Sequence, residues 1–397
     1  MNLSAQPFDV SKVSVNALKV VARLVEHGYQ AYLVGGCVRD ILLGKSPKDF
    51  DVATDAHPDE VRELFRNSRI VGRRFCIVHA RFGRELVEIT TFRGPHEDKY
   101  EANHTESGMT VSDNIYGTFK EDVFRRDFTV NAIYYQPQSD ELVDMAEGNA
   151  DIAARTLRTL GAPEARFRED PVRMLRAIRF KAKLGFDIDT EAEASVRSQG
   201  QLIQDVPPAR LFEEVLKLFM AGFAERAFNC LMEYGLYGWL FPDSKRALDD
   251  EPMAAELVRL ALASTDRRIA EGLPVTPAFI YAAILWFPFL AERQRLSKTG
   301  MAPMEASLEA ANGIIGKQQL FTSIPRRFSG PVRDIWFLQF RLPFRTGKKP
   351  EQVMAHKRFR AAYDFLLLRE ESGELGKSSV GSWWTEYQEA TEEDRAA

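Results

Sequence analysis

Residues 33–52 read LVGGCVRDILLGKSPKDFDV. An apolar run over residues 31–34 enters Gly35-Gly36, and the pattern then turns helical and carries Arg39 and Asp40. Glycines at a strand-to-helix turn let backbone N–H groups approach a phosphate, and the new helix end adds partial positive charge. Arg39 lies one turn into that helix, within reach of a triphosphate oxygen. Gly35-Gly36 alone is weak, because many turns use paired glycines. Thirteen residues after Gly36 comes Asp49-Phe50-Asp51, at the head of an apolar strand. Residues i and i+2 of a strand face the same way, so Asp49 and Asp51 project together while Phe50 enters the core. Two such carboxylates repel unless a cation lies between them. Hard oxygen ligands favour Mg²⁺ or Mn²⁺. Two solvated aspartates on an edge strand is the plain alternative for the pair by itself. The glycine turn and the acidic strand together form the layout in which a triphosphate meets its metals.

The chain around this stretch has 397 residues, enough for two or three domains. Hydrophobic residues make up 45% and charged residues 28%, as in ordinary globular proteins. The net charge of −4 means that any nucleic-acid surface is local, built from basic clusters. Cys37, Cys76 and Cys230 are too widely spaced for a CxxC zinc site or a disulfide framework, and reduced thiols in a cytoplasm are expected. The first residues show no signal-peptide pattern. The longest apolar run, residues 279–290, contains Pro288 and is too short to span a bilayer, so a buried helix and no membrane partner are expected.

A helix is expected over residues 12–28 and another over 58–66, with Pro58 in its first turn. Strands are expected at 31–34, 49–54, 76–81, 85–91 and 128–135. Residues 93–113 are polar and read as a mobile loop within this α+β part. After about residue 150 the strand signals stop, and amphipathic helices follow at 170–184, 190–201, 209–220 and 224–233. Pro207-Pro208 breaks one helix from the next.

GGxxRD followed by PKDFDV resembles the class II nucleotidyltransferases of the polymerase-beta superfamily, which include tRNA CCA-adding enzymes and bacterial poly(A) polymerases. RRDFTVNA at residues 125–132 and EDPVRMLRAIR at 169–179 resemble two further motifs of that class. The segment IVGRRFCIVH at 70–79 is similar to the poly(A) polymerase pattern. The closing TEEDRAA is acidic where such polymerases often carry an arginine-rich tail. The resemblance implies an α+β, polymerase-beta-like nucleotidyltransferase head at residues 1–155. A helical neck that binds base and RNA (156–210) and a helical body and tail (211–397) would follow. It implies two-metal transfer of AMP from ATP to RNA 3′ ends. A tRNA CCA-adding enzyme is the nearest alternative, and a non-catalytic RNA-binding protein on the same fold is a third.

The resemblance makes Asp49 and Asp51 the metal ligands and gives Asp127 a catalytic role as a third carboxylate. Glu88 is another candidate by position, and an ion pair with Arg125 or Arg126 is the structural alternative for Asp127. Gly36, Arg39 and Arg126 are the expected phosphate contacts, the arginine fork suiting phosphate oxygens. Asp170 and Arg173, at i and i+3 of one expected helix, can read the hydrogen-bonding edge of a base. Arg176 and Arg179 continue that row toward the triphosphate, and Met174, Leu175, Ile178 and Phe180 mark the buried side.

Residues 326–360 interleave ten basic and two acidic residues with several aromatics, the composition of a path for single-stranded RNA. Arg326, Arg327, Lys348 and Lys349 are the phosphate candidates, while Trp336, Phe337 and Phe340 at helical spacing read as core. The expected partners are RNA 3′ ends, ATP and RNA-degradation machinery, acting on a monomer.

Overall fold

A computed structural model of the chain describes residues 8–72, 76–94, 115–391 and 395. It divides into two compact units, Met1–Asp205 and Val206–Ala397. The loop expected over 93–113 lies almost wholly outside the described residues, as do residues 73–75 of the basic segment.

The first unit opens with α1 (Val15–Glu26), capped by Ser14, whose hydroxyl accepts from the N–H groups of Asn16 and Ala17. The cap starts the helix three residues later than the apolar spacing suggested; a 3₁₀ turn at Val10–Lys12 precedes it. Then come β1 (Ala31–Val34), α2 (Gly36–Leu42), β2 (Phe50–Thr54) and α3 (Pro58–Leu64). Next are β3 (Ser68–Val71), β4 (Ile77–Phe82), β5 (Glu85–Thr91) and α4 (Phe119–Arg125). β6 (Ile133–Gln136) and β7 (Glu141–Asp144) finish a seven-stranded sheet of order β3-β4-β5-β2-β1-β6-β7. Only β2 and β5 run parallel within it; the other pairs are antiparallel.

Both faces of the sheet are covered. Phe50 and Val52 point into a core with Val20 and Leu24 of α1 and Val38 and Ile41 of α2. Ala53 of the same strand points to the other face, among Val34, Val123, Ala132 and Tyr134. Alternation therefore puts Asp51 on the Ala53 face.

Three expectations need correcting here. Residues 128–135 are a 3₁₀ turn (Thr129–Asn131) followed by the short β6, because the polar side chains of Thr129 and Asn131 bond to Asp151 and Asp127 instead of taking ladder positions. Strands do not stop at residue 150. After α5 (Gly148–Ala154), β8 (Thr156–Leu157) pairs in parallel with β9 (Asp187–Ile188) around α6 (Pro163–Glu169) and α7 (Val172–Leu184). The helix expected over 170–184 starts at Val172, since Asp170 is extended (φ −146°, ψ 95°) and ends α6 ahead of Pro171. α8 (Thr190–Gln199) and a 3₁₀ turn close the unit.

The second unit is helical throughout its described residues. It begins with α9 (Pro208–Phe219), α10 (Ala224–Glu233), α11 (Tyr237–Leu240) and α12 (Pro242–Asp250). α13 (Pro252–Ala270), α14 (Pro277–Ile284), α15 (Trp286–Lys298) and α16 (Pro303–Gln318) follow. α17 (Arg326–Gln339), α18 (Lys349–Met354), α19 (Phe359–Glu371) and α20 (Val380–Glu389) complete it. The apolar run at 279–290 is buried, but as two helices, with Pro288 in the first turn of α15, where no N–H is missed. Among the described residues no helix is long and apolar enough to cross a membrane.

Candidate active site

The site grows from the register of three strands. Val34, the last residue of β1, pairs with Asp51 of β2 on one side and Tyr134 of β6 on the other. Asp51 in turn pairs with Glu88 of β5. Gly35 follows Val34 with φ 76°, a left-handed conformation that a side chain resists. A Cβ there would lie 3.6 Å from Asp51 Oδ2 and 3.8 Å from Arg126 Nη1. The glycine thus lets a metal-type carboxylate and a phosphate-type guanidinium meet beside bare backbone.

Asp51 is half-buried, and burial, Glu88 and Asp49 push its carboxyl up to about 6, against the opposing pull of Arg126 and Arg176. Asp49 lies one residue ahead of β2 and is exposed, yet its charge is felt at Asp51. A crowded carboxylate of this kind is stabilised by a cation. Among the described residues no three His, Cys, Asp or Glu side chains converge to hold an ion. Glu88 lies instead 3.4 Å from His79 Nε2. Two carboxylates suit a Mg²⁺-like ion, which keeps waters and completes its shell with substrate phosphates. Asp49 and Asp51 therefore fit such an ion.

Arg126 is aimed by groups that the sequence reading did not assign. Its Nε donates to the Tyr134 hydroxyl (2.7 Å) and its Nη2 to Asp122 Oδ2 (2.9 Å). Tyr134 also donates to Asp122 (2.6 Å). Burial opposes the charge, but Tyr134 and Asp122 hold the guanidinium protonated above its usual range. The Asp122–Arg126 spacing of four on α4 was a readable signal; Tyr134 carried none.

Asp127 pairs with neither Arg125 nor Arg126. Arg176 Nε donates to its Oδ2 at 2.7 Å and Arg176 Nη2 lies 2.5 Å away. Asn131 Nδ2 donates to its Oδ1 at 3.0 Å. Burial alone would raise this carboxyl; Arg176 and Asn131 hold it well below the usual carboxylate range. Asn131 passes the connection on, since its Oδ1 accepts from Arg39 Nη1 at 2.5 Å. Arg39 is only 2% exposed and gives its Nε and Nη2 to Asp40. Arg39 thus forms a buried fork that joins α2 to the 3₁₀ turn. Arg39, Arg176 and Arg179 all approach the ring of Phe180, at 5.2, 5.5 and 5.0 Å.

Asp170 and Arg173 are both buried, but they do not share a helix, and Arg173 is charge-paired with Glu169. Its Nη1 donates to Glu169 Oε2 (2.7 Å) and to the carbonyl of Arg166 (2.9 Å). Asp170 Oδ1 accepts from the N–H of Val172 (3.3 Å). Arg166, absent from the expected site, bridges the two motifs. Its Nη2 donates to the carbonyls of Arg125 (2.5 Å) and Arg126 (2.7 Å), while its Nη1 pairs with Glu169. Burial first, and the neighbouring Arg93 after it, push Arg125 down to about 9.

In the second unit Arg326 and Arg327 are exposed in the first turn of α17, and Lys348 and Lys349 are exposed around the start of α18. Lys349 Nζ sits 4.7 Å from the ring centroid of Phe344, itself 54% exposed. Trp336 is core: its Nε1 donates to the Ala282 carbonyl (3.0 Å) and its ring stacks on Phe289 at 4.5 Å.

A mixed sheet that brings a half-buried aspartate, a positive-φ glycine and a carboxylate-held arginine to one point is the frame of a nucleotidyltransferase. Residues 31–158 match the poly A polymerase head domain family. Residues 185–248 match the probable RNA and SrmB-binding site of polymerase A, and 299–397 match the polymerase A arginine-rich C-terminus. Poly(A) polymerase I of Haemophilus influenzae is 43% identical over 99% of this chain and 89% of its own length. A CCA-adding enzyme from a Geobacillus strain is 40% identical, over 56% of this chain and 54% of its own. Among solved structures, the Bacillus stearothermophilus CCA-adding enzyme in complex with CTP aligns with a TM-score of 0.56 and 27% identity, over 92% of this chain and 79% of that one. The chain belongs to the family of bacterial poly(A) polymerase I, RNA nucleotidyltransferases related to the CCA-adding enzymes.

Proposed function

We propose that this protein is a polynucleotide adenylyltransferase that moves AMP from ATP onto RNA 3′ ends and releases pyrophosphate. The convergence of Asp51, Gly35 and Arg126 carries the reading. Asp49 and Asp51 would hold Mg²⁺ or Mn²⁺, which would acidify the RNA 3′-hydroxyl and neutralise the leaving pyrophosphate. The bare backbone at Gly35-Gly36 receives the triphosphate. Arg126, held protonated by Asp122 and Tyr134, faces it with a fixed positive charge. Asp127 acts through Arg176, keeping that guanidinium oriented, and Arg39 and Asn131 brace the pair. Asp170 and Arg173 read the base, with Glu169 setting the angle of Arg173.

Residues 156–210 serve as the neck between a head at 1–155 and a body and tail at 211–397. RNA follows basic positions of the body that include Arg326, Arg327, Lys348 and Lys349. The setting is a cytoplasm and the protein works as a monomer beside RNA-degrading enzymes.

Adenylate rather than CCA addition is favoured by the extent of likeness, which spans 99% of the chain for a poly(A) polymerase and 56% for a CCA-adding enzyme. The test supplies labelled ATP or CTP with either a transcript lacking tRNA structure or a tRNA ending before CCA. Long ladders from ATP on the first RNA are expected. Products confined to a completed CCA end would overturn the reading.

A further inference from the structure

The second unit contains a cavity of about 200 Å³ between α13, the loop after it, α14 and the start of α19. Its wall carries Arg268, Lys357, Arg358 and Arg360, against Asp364 as the acid of the lining. Four cations against one anion stand out in a chain whose net charge is −4. Asp364 is shared, lying 2.9 Å from Arg360 Nε and 3.8 Å from Arg268 Nη1. Arg268 is also fixed by its Nε and Nη2, which donate to the Pro274 carbonyl at 3.3 and 3.2 Å. Arg358 Nε is buried with no hydrogen-bond partner among the described residues.

Phosphate oxygens match guanidinium donors in number and geometry better than a neutral acceptor does. Ser264 adds a hydroxyl to the same wall, and Phe279 an apolar side. None of these residues belongs to the nucleotidyl-transfer site; Lys357, Arg358 and Arg360 fall within the basic segment 326–360 but are distinct from Arg326, Arg327, Lys348 and Lys349.

We propose that this cavity is a receptor for a phosphate group, borne either by an RNA backbone or by a small phosphorylated molecule. It does not depend on the adenylyltransferase reading, because it requires binding only and no turnover. The test therefore uses the full chain in EDTA, which silences the metal-dependent site. A fluorescent oligoadenylate ending in a 3′-deoxynucleotide is one probe, followed by anisotropy over a range of salt concentrations. Inorganic phosphate is the other, followed by calorimetry.

For an RNA phosphate, Arg358→Gln weakens oligoadenylate about tenfold and lowers the salt slope by about one, the loss of one phosphate contact. For a small ligand, the same variant loses the heat of phosphate binding and leaves the RNA isotherm in place. Asp364→Asn releases Arg268 and Arg360 and should tighten the same probe about two- to threefold, a gain that damage to the fold cannot imitate. Wild-type binding of both probes by Arg358→Gln overturns the proposal. Weakening by both variants alike would signal disrupted packing and would equally defeat it.

Discussion

Asp51 has a carboxyl pushed up to about 6 by burial first and by Glu88 and Asp49 after it. In the unfolded chain the same group titrates near 3.9. Between those values the folded protein holds a proton that the unfolded chain has lost, so this group makes stability fall as pH rises from about 4 to 6. Above pH 6, without metal, the ionised carboxylate is a net cost on the order of 1–3 kcal/mol. Asp51→Asn should therefore raise the melting temperature in EDTA at pH 8 and leave it unchanged at pH 4, as followed by circular dichroism. If Asp51 holds the metal as proposed, the same variant should lose adenylate addition by roughly a thousandfold or more. A variant that loses activity without gaining stability would contradict the electrostatic account. For the unaltered protein, activity should decline below about pH 6 as Asp51 takes up its proton, and higher Mg²⁺ should move that decline to lower pH. The face that Asp51 shares with Ala53 was legible in the sequence because strand alternation fixes which side chains share a face. Glu88 stood out by position, but its place beside Asp51 did not, because that rests on the parallel pairing of β2 with β5.

The junction between α6 and α7 is where sequence periodicity failed at the level of elements. A continuous helix would align Asp170 with Arg173, but the extended Asp170 breaks it and leaves Glu169 to hold the arginine. Pro171 was the signal, and apolar spacing on both sides hid it. From this geometry Arg173→Ala should reduce discrimination among the four nucleotides by about tenfold while changing the apparent affinity for triphosphate far less. Glu169→Gln should share the defect in milder form. Competition between ATP and CTP on one RNA measures both. The 3₁₀ turn at Thr129–Asn131 escaped notice for a related reason. FTVNAIYY has the composition of a strand, yet two of its polar side chains are claimed by tertiary partners.

For the molecule as a whole, a net charge of −4 coexists with local concentrations of arginine and lysine. RNA affinity should therefore fall steeply and linearly on a log–log plot against salt, as counterion release requires. Aromatic residues in the second unit divide by what lies around them. Trp336→Ala should destabilise the fold by about 3–5 kcal/mol through loss of a filled core site. Phe344→Ala should leave stability nearly unchanged and weaken oligoadenylate binding by about 1–3 kcal/mol if its exposed ring stacks on a base. Denaturant titration and RNA binding on the two variants separate these roles. Sequence spacing identified Trp336 as core, whereas the exposure of Phe344 depends on a turn after α17 that the apolar pattern did not announce.

Arg166 grips the backbone carbonyls of Arg125 and Arg126, the second proposed above as the triphosphate contact, while holding Glu169, the acid paired with Arg173. With the roles proposed above for Arg126 and Arg173, substrate choice and turnover are mechanically coupled. Retooling this enzyme for another nucleotide by altering the base reader should carry a speed penalty, and recovering speed will require compensating changes at the hinge between the two motifs.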